Sequence, residues 1–131
     1  PYAQVVNVVA LAGGYALKVR VNDLPYPPEE TDLQPEQEEF LKQFSALLKD
    51  RDSTQVRLCA VATAQDIGKE PGSDLSSLDD RKRLTEISRE RVSIFKAYMI
   101  EEENIPSSRL LLCTPQIDSS IGAVPRLSFR T

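Results

Sequence analysis

Residues 84–113, LTEISRERVSIFKAYMIEEENIPSSRLLLC, decide the fold. At about 3.6 residues per turn, Leu84, Ile87, Arg91, Phe95 and Tyr98 fall on one face of a helix, so a guanidinium stands inside an apolar stripe. The helix starts at a cap supplied by Asp79 or Asp80, runs to about Glu103 and ends at Asn104 and Pro106. Residues 109–114 (RLLLCT) then form a strand. A cation in an apolar stripe needs either a carboxylate or carbonyl of its own chain, with its stem lying on apolar surface, or an anionic ligand.

Working outward from this unit, residues 55–62 (QVRLCAVA) are apolar nearly throughout, as in a strand covered by helices. Before it, Pro35 suits the first position of a helix and Glu36, Glu38 and Glu39 load its first turn with negative charge. The apolar face of that helix is Phe40, Leu41, Phe44, Leu47 and Leu48. Residues 15–24 alternate, with Leu17, Val19 and Val21 opposed to Lys18, Arg20 and Asn22, and the prolines at 25, 27 and 28 stop this strand. Residues 124–130 (VPRLSFR) also alternate, and Pro125 places them at a sheet edge. Residues 1–12 carry apolar groups too continuously for periodicity to assign them. The segment 63–80 is polar, turn-rich and longer than the usual connection of about 4 to 6 residues, so it is either functional or merely mobile.

The order strand, helix, strand, helix, strand, strand predicts a two-layer α/β sandwich, with the helix-crossed strands parallel and the final strand antiparallel. The 131 residues, 40% hydrophobic and 27% charged, suit one core. A formal charge of -4 argues against sequence-independent nucleic-acid binding, and no run of about 18 apolar residues crosses a bilayer. The chain starts at Pro1 without initiator Met or leader and reads as a piece of something longer, any targeting signal being outside it.

Histidine is absent, and no nucleophile elbow, phosphate loop, Cys-x-x-Cys pair or dinucleotide fingerprint occurs, so the expectation is no enzyme, no cofactor and no metal. Cys59 and Cys113, central in the second and third of the strong strands, are expected to be free buried thiols rather than a disulfide. Glu101, Glu102 and Glu103 read as a solvated helix end, and Arg81, Lys82 and Arg83 as a solvent-facing start.

Ile87, Ser88, Arg91, Val92, Phe95, Tyr98 and Met99, followed by Ile105, Arg109 and Leu110, resemble the second-helix and third-strand pattern of the OmpA-like peptidoglycan-binding family. The resemblance covers roughly residues 23–130 by element order and spacing. It implies a β-α-β-α-β-β domain with a mixed four-stranded sheet and both helices on one face. It also implies peptidoglycan as a partner, with Arg91 holding diaminopimelate beside an acid at the end of the second strand. Aligned through VRLCAVAT, the family's Gly-His-Thr-Asp falls on Ala60, Val61, Ala62 and Thr63, so the acid is missing there. Asp66, three residues on, replaces it only if the loop bends back. Arg91, Asp66, Thr63 and Ser88 are the candidate ligand-binding residues.

The closer similarity is to the divergent OmpA-like domain that ends large AsmA-like envelope proteins. Pro1-Tyr2, residues 5–11, Gly13-Gly14 and Leu24-Pro25-Tyr26-Pro27-Pro28 match the segment that introduces such domains, except that Tyr stands for Phe and no Gly follows the proline. This resemblance implies a helical lead-in over 1–14 before the domain at 15–131. It implies a periplasmic setting below an upstream inner-membrane anchor, with contacts to another envelope protein or to the rest of the parent chain.

Overall fold

The computed structural model describes residues 6–10 and 17–131, with side-chain surroundings from residue 20 onward. Two strands, β1 (Val6–Ala10) and β2 (Leu17–Val21), form an antiparallel pair in which Val6 faces Val21 and Ala10 faces Leu17. The helical lead-in is therefore corrected over Val6–Ala10. Valine, branched at Cβ, is confined to essentially one rotamer in a helix, which costs side-chain entropy, and packs well on the pleated surface of a strand. The rest of 1–14, including Gly13-Gly14, lies outside the described residues.

The main sheet contains β3 (Leu24–Pro25), β4 (Val56–Thr63), β5 (Leu110–Leu112), β6 (Gln116–Asp118) and β7 (Arg126–Arg130). Its order is β3-β7-β4-β5, with β6 pairing β4 beyond β5, so β3 stands at one edge and β5 followed by β6 at the other. Five strands thus occupy four positions. β5 and β6 both run parallel to β4, but Leu110 faces Val56 whereas Gln116 faces Val61. The offset changes from 110 − 56 = 54 to 116 − 61 = 55, so one extra residue is accommodated around Thr114 and Pro115, a bulge.

β7 is not an edge strand. It lies between β3 and β4, antiparallel to both. Pro125 is harmless because it stands just before the ladder, where its missing N–H is not needed, and its carbonyl accepts the Tyr26 N–H at 2.9 Å.

Two helices, α1 (Glu38–Asp50) and α2 (Leu78–Glu101), cross one face of this sheet. Pro35–Gln37 form a single tight turn into α1. Phe40, Phe44, Phe95 and Phe129 bring α1, α2 and β7 together, with ring centroids 5.0 to 6.1 Å apart. Leu48, Val56, Leu58, Leu110 and Leu127 complete a core with no exposed surface at these positions. The residue that starts α2 is Ser77, whose hydroxyl accepts the Asp80 N–H at 3.2 Å; Asp79 and Asp80 instead load the first turn. At the other end the chain leaves through Asn104 with φ +58, and Ile105 N–H reaches back to the Met99 carbonyl at 3.0 Å. Arg109, the second arginine of the sequence pattern, donates to the carbonyls of Thr54, at 3.0 Å, and Arg51. It fastens the start of β5 to the turn between α1 and β4.

The free-thiol expectation is overturned. Cys59 and Cys113 are 54 residues apart, the same offset as the β4–β5 register, so they stand directly opposite. Their Cα atoms are 4.8 Å apart and the sulfurs are bonded.

Candidate functional site

Arg91 projects from the middle of α2 and Asp66 from the turn Ala64–Ile67 that follows β4. The turn does bend back: Gly68, at φ +71, ends it, and the Lys69 N–H donates to the Ala64 carbonyl at 3.0 Å. Asp66 Oδ1 and Oδ2 then accept Arg91 Nη2 and Nη1 at 2.6 and 3.0 Å, a two-bonded fork. The carboxylate is satisfied further by the N–H groups of Thr63, at 3.1 Å on Oδ2, and Glu29, at 2.9 Å on Oδ1.

The remaining arginine donors are taken by main chain. Nε donates to the Glu30 carbonyl at 2.8 Å and Nη2 to that of Pro27 at 3.4 Å. Tyr26 lies beneath, with the guanidinium carbon 4.9 Å from its ring centre. Both charged side chains have 0% of their surface exposed. Burying two ions is tolerable only because nearly every lone pair and proton finds a partner.

The cover over the pair is residues 26–30. The Glu30 N–H bonds the Pro27 carbonyl at 3.2 Å, closing a turn with Pro28 and Glu29 at its centre. Proline at the second position and positive φ at the third are the type II arrangement, and Glu29, at φ +70, occupies the place usually given to glycine. Gln37 holds the segment from the α1 side, its Nε2 donating to the Pro25 carbonyl at 2.8 Å.

Of the four sequence candidates, Arg91 and Asp66 meet directly and Thr63 joins them through its main-chain N–H. The Thr63 hydroxyl and that of Tyr26 are buried without hydrogen-bond partners. Burial raises the Tyr26 phenol above its ordinary range, and the nearby Arg91 charge only partly opposes this. Ser88 lies elsewhere, on the wall of a cleft with Ala60, Val92 and Leu112. The sequence reading missed Tyr26, Pro27, Glu29 and Glu30. The available signal was Pro27-Pro28-Glu29-Glu30, a turn placed after a strand end, but main-chain partners leave no mark in residue type.

Among the described residues, no group of three or more His, Cys, Asp or Glu side chains could hold a metal, and no helix is long and apolar enough to cross a membrane. No family model and no curated protein matches the chain. Solved structures do resemble it. The OmpA-like domain of FopA1 from Francisella tularensis superposes with TM-score 0.67 at 14% identity, over 96% of this chain and 79% of that one. A putative MotB-like protein from Desulfovibrio vulgaris gives 0.61 at 16%, over 95% and 79%. An outer membrane protein from Borrelia burgdorferi gives 0.58 at 13%, over 95% and 94%. The chain has the OmpA-like fold.

Proposed function

We propose that this is a non-catalytic domain of a periplasmic envelope protein, one that makes protein or envelope contacts and uses Arg91 to hold its own fold together. The observation that carries this reading is the sealed Arg91–Asp66 pair, whose donors and acceptors are spent on the chain itself. The disulfide adds support, because such bonds persist in oxidising compartments such as the periplasm. A parent of the AsmA-like kind with an inner-membrane anchor is consistent with the resemblance of residues 24–28 and of α2.

A second reading rests on Asp66 itself. It restores beside Arg91 the acid that the strand end lacks, so the pair has the charges to hold the carboxylate and ammonium of diaminopimelate in peptidoglycan. Binding would require residues 27–30 to lift and release two carbonyls from the guanidinium.

Sedimentation with purified sacculi separates the two. The first reading expects no saturable retention of the domain. Saturable retention that Arg91→Lys abolishes, in a variant with wild-type circular dichroism, would overturn it in favour of the second.

A further inference from the structure

β5 lies at one edge of the main sheet, opposite β3. The Cys113 N–H bonds the Leu58 carbonyl at 3.0 Å, so by the two-residue alternation of a strand the amide groups of Leu111 also face β4. The N–H and carbonyl of Leu112 and the carbonyl of Leu110 point outward, while the Leu110 N–H is taken by the Ser107 carbonyl. Two features flank this edge, one on each face of the sheet.

On the helix side is a cleft of about 240 Å³ between β5 and α2, walled by Ala60, Val92, Leu112 and Pro115. It is smaller than the roughly 300 to 1,000 Å³ of small-molecule sites, so it suits one side chain rather than a whole ligand. Ser88, with 0% exposure, lines it, and the Ser88 hydroxyl has no hydrogen-bond partner. Leu112 is 55% exposed at its rim, and Arg89 stands at its mouth.

On the opposite face, Arg130 of β7, Arg57 of β4 and Leu111 of β5 form one row across three strands. Two arginines directly opposite each other repel. Among the described residues, neither they nor Arg89 makes an ion pair; Glu86, one turn before Arg89, is taken by Arg83 at 3.8 Å.

We infer that this edge takes an extended peptide strand whose side chains alternate between apolar and acidic, added to β5 through the outward carbonyl of Leu110 and the outward N–H and carbonyl of Leu112. A strand presents successive side chains to opposite faces. One apolar side chain enters the cleft beside Ser88 and Leu112, while an acidic neighbour on the other face reaches over Leu111 towards Arg57, with Arg130 behind it adding to the positive field. The charges also choose the occupant. A second copy paired at β5 would bring these arginines towards their own counterparts, and an anionic membrane offers no directional partners to the amides while repelling a chain of net charge -4.

The test uses a fluorescein-labelled heptapeptide of alternating Glu and Leu against the whole domain, followed by polarisation and by two-dimensional NMR of the amides. Saturable binding is expected, with shifts concentrated at Leu110 to Cys113. Binding should weaken as salt rises and fall about tenfold or more in Arg57→Glu, a surface change that puts opposite charges at 57 and 130 and so does not lower the melting temperature. A matched Lys-Leu peptide should not bind. Absence of binding, equal binding of the Lys-Leu peptide, indifference to Arg57→Glu, self-association through β5, or binding to phosphatidylglycerol vesicles without peptide binding would each overturn the inference.

Discussion

Arg91 and Asp66 hold each other by two hydrogen bonds of 2.6 and 3.0 Å, 25 residues apart in sequence and with neither side chain exposed. The pair joins the middle of α2 to the turn after β4, and its main-chain partners tie in residues 27–30. Three separate parts of the chain therefore meet at one charge contact.

Removing either partner should be costly. Arg91→Ala leaves a buried carboxylate with no counter-charge, and Asp66→Ala does the same to the guanidinium, each losing about 3 to 5 kcal/mol. The double change Arg91→Met with Asp66→Leu should recover much of that loss, since it removes both ions together. Urea unfolding of the three variants checks this. An unchanged midpoint for Arg91→Ala would show that the pair does not hold the fold.

Tyr26 gives a prediction at high pH. Its phenol is driven above the ordinary value near 10 chiefly by burial. The neutral form is thus favoured in the folded state, so its contribution is complete below the unfolded pKa and is lost as pH rises through about 10 and beyond. Absorbance titration at alkaline pH should show Tyr26 ionising only as the domain unfolds. Tyr26→Phe keeps the ring beneath Arg91 and removes a hydroxyl that has no partner. Its stability at neutral pH should be equal or higher, and its alkaline unfolding should move upward; a clear loss at neutral pH would mean the hydroxyl is in fact bonded.

The Cys59–Cys113 bond closes a loop of 54 residues that includes α2. Chain-entropy reasoning assigns such a loop about 4 kcal/mol. Thiol titration in denaturant without reductant should detect no free sulfhydryl, and two after reduction. The reduced protein should unfold at clearly lower urea concentration. Two thiols before reduction would remove the bond and with it the compartment it suggests.

What the sequence disclosed follows from which interactions leave a trace in residue type. The faces of α1 and α2 were legible because Phe44, Leu48, Phe95 and their neighbours recur at the helical period. Arg91 was legible as an anomaly on such a face. Its partner was legible only as a possibility, because Asp66 reaches it through a turn ended by Gly68 whose direction no periodicity encodes. Pro125 misled because a proline beside a ladder and a proline within one look alike in sequence, although only the second costs a hydrogen bond. The cysteines misled for a related reason: their adjacency depends on register, and the pairing 56 with 110 is set by tertiary packing.

Glu29 offers the sharpest local test. It holds φ +70 in the turn that covers the ion pair, at the third position of a type II turn, which usually takes glycine. A residue with a Cβ loses about 1 to 2 kcal/mol in this left-handed region. Its side chain is exposed and its contribution to the pair comes from its N–H, which glycine retains. Glu29→Gly should therefore remove the strain but gain freedom in the unfolded chain, worth roughly 0.5 to 1 kcal/mol in the other direction. The strain is the larger quantity, so the variant should be stabilised by about 0.5 kcal/mol. Glu29→Val is the opposing control, because a β-branched side chain tolerates positive φ least; it should destabilise and loosen the cover over Arg91. Thermal melts of the two variants beside the wild type must show opposite signs. If both shift the same way, loss of the Glu29 carboxylate governs the turn and backbone strain does not.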